Sequence, residues 1–385
     1  MKKQLLTSTA LVAAGVLALA PAAFSKPSLT VNGYHEQVLG MVINQDEDVS
    51  GDKSTLDVHH ETEIHFNGNV KLDNGITMRA HTELETNGDQ GYGGNSTGGP
   101  DYIDEIYLII RGSFGQITIG SEDNAAHIML TGYSGSWPTG VGQNLAFDGG
   151  EWVTSVAPDF DTIRDSRLVG QDSDSEKISY YTPRFAGFQV GASYIPGDRT
   201  TEEQNGAMQT AATTYHDGFA IGVNYAGKLG DIGIGGGAGY MHRQAPETAA
   251  VPLVDDDIKA AVVALRLDFG PIRVSGAVKR TASNETGGTD RRGRIIDVGA
   301  RYAMGPNQYS LVYFNGRRQI GTVEFQAGIL SYARILGPGT KWHANLFYVD
   351  SQSGATQNDG FAASTGARLL LQGRPRPPYF LTGFI

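Results

Sequence analysis

The residues best able to do chemistry lie at alternate positions of one short stretch. His59, Glu61, Glu63 and His65 come first, then Asp73-Asn74-Gly75, then Arg79, His81, Glu83 and Glu85. Alternate positions of an extended strand share a face. Asp-Asn-Gly is tight hairpin chemistry. Two adjoining strands would therefore present one wall of carboxylates, imidazoles and a guanidinium. Around water, such a wall sets a transverse field and filters charged solutes. The opposite parity carries Leu56, Val58, Ile64, Phe66, Val70 and Leu72, interrupted by His60 and Thr62.

A second charged set follows Gly120. The stretch from Ser121 to about Glu176 is far longer than an ordinary connection, and ordered loops of that length are usually functional. It holds Glu122, Asp123, Asp148, Glu151, Asp159, Asp161 and Asp165, with Arg164 and Arg167. We expect it to fold back into the space that the strands surround. Its charges would then face the histidine-glutamate wall, and mixed charge across a narrow gap orients dipolar solutes. Ser121 is placed to cap a short helix from Glu122 to about Leu130, with acidic residues in its first turn.

Other chemistries fit less well. His59, Glu61, His65 and His81 are zinc-type donors. Same-face neighbours along one strand are roughly 7 Å apart, however, too far for an easily shared ion, so no metal is assigned to this face. Asp46, Asp48, Ser50, Gly51, Asp52 and Asp57 resemble a calcium-loop spacing. Strands flank them and not helices, which excludes an EF-hand; the stretch reads as a solvated acidic loop and no cofactor is expected, with a structural calcium at Asp46, Asp48 and Asp52 as the alternative. Gly233, Gly235 and Ala238 have no following helix, which excludes a dinucleotide loop. Gly132, Ser134 and Ser136 lack the glycine that a nucleophile elbow requires. No nucleophile and base converge, and no enzymatic activity is expected.

What positions these residues is a set of strands. Lys2 and Lys3, an apolar run from Leu5 to Ala20 and small residues at Ala23 and Ser25 read as a cleaved signal over 1–25. Losing two lysines takes the net charge from −11 to −13. This acidic balance argues against a nucleic-acid partner. Cysteine is absent, so packing and hydrogen bonds alone must hold the chain. No run of 18 apolar residues follows residue 25, so no transmembrane helix is expected.

Alternation continues to the C-terminus. It gives sixteen strands: 28–42, 56–72, 75–87, 102–112, 115–121, 177–185, 187–195, 218–227, 231–242, 257–269, 271–281, 293–304, 307–316, 321–334, 340–351 and 360–371. Connections alternate between short and long. The short ones include Asp73-Asn74-Gly75, Ser113-Phe114-Gly115 and Gly270-Pro271, and the long ones include 43–55, 88–101, 196–217 and 352–359. An even strand count with short turns at one end and long loops at the other marks an antiparallel transmembrane β-barrel. In lipid every backbone group must be paired, so a sheet spans only if it closes. Tyr180, Tyr181, Phe185, Phe188, Tyr194, Phe219, Tyr225, Tyr240, Phe269, Tyr302, Tyr313 and Phe347 are expected in aromatic girdles at the interfaces. With 40% apolar residues, strands greasy on one face only are expected, and no core of the usual kind.

Two stretches carry a family likeness. Arg111-Gly112-Ser113-Phe114-Gly115-Gln116-Ile117-Thr118-Ile119-Gly120-Ser121-Glu122-Asp123 resembles the hairpin that leads into a porin constriction loop. Lys177-Ile178-Ser179-Tyr180-Tyr181-Thr182-Pro183-Arg184-Phe185-Ala186-Gly187-Phe188 and the strand to Tyr194 resemble the hairpin that leaves it. The chain thus resembles the general porins of Gram-negative bacteria, of the alphaproteobacterial type. The resemblance implies a sixteen-stranded barrel over 26–371, a homotrimer, and a third outer loop folded inward. It also implies an outer-membrane location, with the lipid bilayer and lipopolysaccharide as partners and passive diffusion of small hydrophilic solutes and ions.

The constriction residues would be His59, Glu61, Glu63, His65, Arg79, His81 and Glu83 on the wall. On the loop they would be Glu122, Asp123, Asp148, Glu151, Asp159, Asp161 and Arg164. Their acidic excess implies weak cation preference. A substrate-selective channel and, more remotely, an adhesin or enzyme on a barrel are the alternatives. The family ends on a terminal aromatic, whereas this chain runs on through 372–385, where Pro375, Pro377 and Pro378 exclude a central strand.

Overall fold

The computed structural model describes residues 26–45, 56–85, 103–143, 152–153, 156, 174–197, 215–245, 257–282, 293–318 and 323–372. Sixteen antiparallel strands close into one barrel. They are β1 (Ser28–Gln45), β2 (Asp57–Lys71), β3 (Thr77–Glu85), β4 (Ile106–Gly112), β5 (Gly115–Ser121), β6 (Glu176–Tyr181), β7 (Phe188–Ile195) and β8 (His216–Leu229). Then come β9 (Ile232–Gln244), β10 (Ile258–Phe269), β11 (Ile272–Ala282), β12 (Gly293–Met304), β13 (Asn307–Arg318), β14 (Val323–Gly337), β15 (Thr340–Ser353) and β16 (Thr356–Gln372). A helix, α1 (Ala125–Leu130), follows β5. Closure is made by β1, which pairs with β2 on one side and with β16 on the other, from Asn32↔Gln372 to Gln45↔Gly360. The signal region 1–25, the acidic loop holding Asp46, Asp48 and Asp52, and the tail beyond Gln372 lie outside the described residues.

Alternation explains the two surfaces. Val263, Leu265, Leu311 and Leu330 are 51–62% exposed on the outside. Their sequence neighbours Val262, Ala264, Val312 and Ile329 are buried on the inside. An apolar outer parity is the solvent match for a bilayer. The tight turns at one end need backbone that only glycine adopts without strain, and Gly270 and Gly305 have φ of 57° and 59°.

Three strand expectations and the helix cap change. β6 ends at Tyr181 and not at 185, because Pro183 cannot donate to the ladder. Beyond it Phe185 makes only an isolated bridge across the turn, to Phe188 at the start of β7. β4 begins at Ile106, with Asp104 and Glu105 just before it. The expected long connection 352–359 is a tight turn at Gly354, so β16 starts at Thr356. The helix is capped by Asn124 and not Ser121, which closes β5 as its last residue; Asn124 Oδ1 accepts from His127 N at 3.0 Å.

Most of the expected girdle aromatics face outward, Phe185, Phe188, Phe219, Tyr240, Phe269 and Tyr302 among them. Tyr181 and Phe347 instead point in and are buried. At the short-turn end, Tyr309 and Trp342 flank Tyr332 with ring centroids 5.2 and 5.7 Å from it. This suits the interfacial preference of amphipathic rings.

An apolar core forms inside the barrel, against the expectation of none of the usual kind. Phe314, Phe325, Phe347 and Val349 are buried with Val38 and Ala362 against Trp152, Val153 and Val156 of the stretch after β5. The inner parity of β13–β15 is apolar where that stretch packs on it. The Val323-Glu324-Phe325-Gln326-Ala327-Gly328-Ile329 run shows this already in the sequence.

Candidate functional site

The stretch after β5 runs along the inner wall. The Ala125 amide donates to Ser193 Oγ of β7 at 2.7 Å, and Asn224 of β8 donates to the Met129 carbonyl at 3.0 Å. At Gly222 a Cβ would meet the helix backbone at 2.9 Å, so the helix lies closer than any side chain allows. Arg266 of β10 covers the Tyr133 ring at 5.1 Å and donates to the Gly132 carbonyl at 2.7 Å. Ser136 donates twice to the carboxylate of Asp297 on β12, from N at 2.8 Å and from Oγ at 3.0 Å. Val141 N donates to Ser310 Oγ of β13 at 3.2 Å, and Gln143 N to Asn345 Oδ1 of β15 at 3.2 Å. Trp152 donates to Gln143 Oε1 at 3.0 Å and presses on Gly40 of β1.

The histidine-glutamate wall forms on β1–β3. Register pairs His65 with Glu83 and Asn67 with His81 directly across the ladder. His65 Nε2 lies 3.0 Å from Glu63 Oε2 and 3.2 Å from Glu83 Oε2. His81 Nε2 lies 3.3 Å from Glu83 Oε2 and 3.9 Å from Glu105 Oε2. The Tyr34 hydroxyl stands 2.5 Å from Oε1 of both Glu61 and Glu63. Arg368 of β16 covers the Tyr34 ring at 4.4 Å, pairs with Glu36 through Nε at 2.6 Å, and comes within 3.7 Å of Glu61. His343 of β15 reaches the buried Glu36 at 2.5 Å. The result is one continuous network from β15 through β1 and β2 to the start of β4.

Of the seven wall residues read from the sequence, Glu63, His65, His81 and Glu83 meet, and Glu61 joins through Tyr34 and Arg368. His59 stands apart, edge-on to Trp152 at 5.7 Å. Arg79 also stands apart and donates to Asn69 Oδ1 at 3.1 Å. Of the loop residues, Glu122 and Asp123 are described, and they sit at the root of the loop beside the same wall. Asp123 pairs with His127 at 3.1 Å, and Lys177 donates to the Glu122 carbonyl. Asp148, Glu151, Asp159, Asp161 and Arg164 lie outside the described residues.

Crowding of acids at this root shifts their protonation. Burial raises the Glu122 carboxyl, opposed by Lys177 and reinforced by Asp174, up to about 8. Burial, then Asp174 and Glu85, push Asp104 up to about 9. Glu105 is raised well above the usual carboxylate range by burial and by Glu122.

A basic group on the far wall escaped the sequence reading. Arg266 and Asp268 on β10, Arg273 on β11 and Arg301 on β12 cluster together. Asp268 accepts from Arg266 Nε at 3.1 Å and from Arg273 Nε at 2.5 Å, and Arg273 pairs across the ladder with Arg301. In strand order β11 is eight strands from β3, half-way round the barrel. The signal was available: Arg266 and Asp268 share the parity opposite to Val263 and Leu265.

The profile of the family described as Gram-negative porin matches residues 7–354. The outer membrane porin protein 32 of Delftia acidovorans is 24% identical over 354 residues, covering 90% of each chain. An uncharacterized protein of Rickettsia felis is 22% identical over 298 residues, covering 60% of this chain and 68% of its own. Among solved structures, an anion-selective porin from Comamonas acidovorans superposes with a TM-score of 0.62 at 18% identity, covering 90% of this chain and all of its own. A trimer form of OmpT from Vibrio cholerae reaches 0.56 at 12% identity, covering 90% of this chain and all of its own. Profile, relatives and closed barrel agree: the chain belongs to the Gram-negative porin family and is a channel of the outer membrane.

Proposed function

We propose that the channel conducts small hydrophilic solutes and ions by diffusion, with no chemical step, through a lumen narrowed by the stretch after β5. The carrying observation is the line of hydrogen bonds that ties that stretch to the inner wall, from Ser193 through Asp297 to Asn345. A loop so held narrows the bore without plugging it. The wall residues Glu61, Glu63, His65, His81 and Glu83, with Glu122 and Asp123, supply the acidic side of the constriction. His59 and Arg79, elsewhere on β2 and β3, belong to the same lining. Arg266, Arg273 and Arg301 supply the basic side. A dipolar solute passing between opposite charges is turned to align with the field.

The acidic side is the more extensive, which favours weak cation preference. The Comamonas acidovorans porin is described as anion-selective, so the sign of selectivity would differ between two chains of one fold. We further propose a homotrimer. On the outside, His35 meets Thr62 at 2.6 Å and Gln37 pairs across the ladder with the exposed His60. Lipid penalises such polar groups, and a neighbouring copy would cover them. Lipopolysaccharide and bilayer lipid would surround the rest.

Planar-bilayer recording of the purified protein in a salt gradient tests the reading. Stepwise conductance with a reversal potential displaced toward the cation value is expected. Anion preference would overturn the selectivity, and absence of conductance steps would overturn the channel.

A further inference from the structure

We propose that His65, His81 and Glu83 form a binding site for one divalent transition-metal ion in the wall of the lumen. Three observations carry it. The first is spacing. A tetrahedral ion bound by nitrogen and oxygen at about 2.0–2.1 Å sets its donors about 3.3 Å apart. The two imidazole Nε2 atoms lie 3.2 and 3.3 Å from the same Glu83 oxygen, and Glu63 Oε2 lies 3.0 Å from His65 Nε2. Side chains two apart on one strand lean together at their tips, His65 to Glu63 and His81 to Glu83, and cross-strand register joins the two strands because His65 faces Glu83 directly.

The second observation is the orientation of His81. Asn67 Nδ2 donates to Asn32 Oδ1 at 2.9 Å, which turns Asn67 Oδ1 toward His81 Nδ1 at 3.0 Å. His81 therefore spends its proton on Asn67 and presents a bare Nε2 lone pair to Glu83. This second contact is the usual way that a ligating histidine is held in its tautomer.

The third is burial. His81 is 6% exposed and Glu83 is 7% exposed, so bulk water does not separate the lone pair from the carboxylate. A proton shared between the His81 lone pair and the Glu83 carboxyl satisfies this pair when no metal is present, and a divalent cation would take its place. The neighbouring guanidiniums are engaged elsewhere, Arg79 with Asn69 and Arg368 with Glu36.

The donor set decides the class of ion. Two imidazoles with carboxylate suit zinc, nickel, cobalt or copper. Calcium and magnesium prefer oxygen throughout.

The test uses the full-length porin in detergent, freed of metal by chelation, and titrated calorimetrically with zinc chloride and separately with calcium chloride. One zinc per chain is expected, with calcium at least about 100-fold weaker. His65→Gln with His81→Gln should weaken zinc at least about 100-fold. Asn67→Ala, which removes only the orienting contact, should weaken it about 10-fold. His242→Gln, at the separate His242–Asp257 pair, should leave it unchanged. Folding of each variant is checked by heat-modifiable gel mobility. X-ray absorption on the zinc-loaded wild type gives an independent reading, since two imidazoles in the shell are expected. No zinc uptake by the wild type, uptake unaffected in the folded double variant, loss in His242→Gln, or a shell without imidazole would each overturn the site. None of these readouts depends on conductance, so failure here is distinct from failure of the channel reading.

Discussion

Ser136 and Asp297 are 161 residues apart in sequence, yet Ser136 gives both its amide and its hydroxyl proton to the Asp297 carboxylate. Buried hydrogen bonds to a charged acceptor are worth about 1.5–3 kcal/mol each. Asp297→Ala should cost about 3–5 kcal/mol at this anchor and free the middle of the loop. Single-channel conductance should rise and become noisier, while the strand signal in circular dichroism stays unchanged. Unaltered conductance in a folded variant would show that the anchor does not shape the bore.

Trp152 offers a second handle on the same loop. Its ring packs against Gly40 so tightly that a Cβ there would sit 2.5 Å from it. Trp152→Ala should lose about 3–5 kcal/mol, as removal of a large buried aromatic does. Gly40→Ala should have a similar effect on conductance for the opposite reason, by expelling the ring. Thermal unfolding of both variants beside bilayer recording checks this. A Gly40→Ala channel identical to wild type would count against the packing.

The carboxyls at the loop root predict a pH response. Glu122 rises from 4.5 to about 8 and Asp104 from 3.8 to about 9. Between the unfolded and folded values the folded state keeps protons that the unfolded state has released. Stability from this source is therefore complete below about 4 and falls as pH rises to about 9. The same ionisation adds negative charge beside the lumen. Cation preference should thus increase from pH 6 to 9.5 while the thermal midpoint declines. A reversal potential constant over that range would exclude these groups from the conduction path.

Quaternary structure is testable on the outer face of β1 and β2. His60→Trp places a bulky ring on the patch formed with His35, Gln37 and Thr62. The trimer should dissociate at a lower temperature on a gel, while the monomer barrel keeps its heat-modifiable mobility. An unshifted dissociation temperature would show that lipid, and not another copy, covers this patch.

How much was legible follows from what repeats. The sixteen strands were readable because each one alternates for itself, and a local pattern needs no partner to be seen. The wall of Glu63, His65, His81 and Glu83 was readable for the same reason, since Asp73-Asn74-Gly75 makes the two strands neighbours. Arg266, Arg273 and Arg301 were not, because nothing local says which strand stands across the lumen. The core of Phe314, Phe325 and Phe347 was missed because its covering residues, Trp152, Val153 and Val156, arrive from about 160 residues or more upstream. The helix cap went to Asn124 because Ser121 was already held in the β5 ladder. Pairing beyond the next hairpin is what a one-dimensional pattern does not encode.

Five of the hydrogen bonds that anchor the loop lengthen along it. Ala125 reaches 68 residues ahead, Met129 reaches 95, Ser136 reaches 161, Val141 reaches 169 and Gln143 reaches 202. Each successive anchor thus waits for a later strand. Such distant contacts form slowly, because the intervening chain must be ordered first. An intermediate complete only through β11 would hold the helix but leave Ser136 to Gln143 without their anchors on β12, β13 and β15. In assembly the lumen would start wide and tighten segment by segment, so that the bore narrows fully only once the last hairpin is in place.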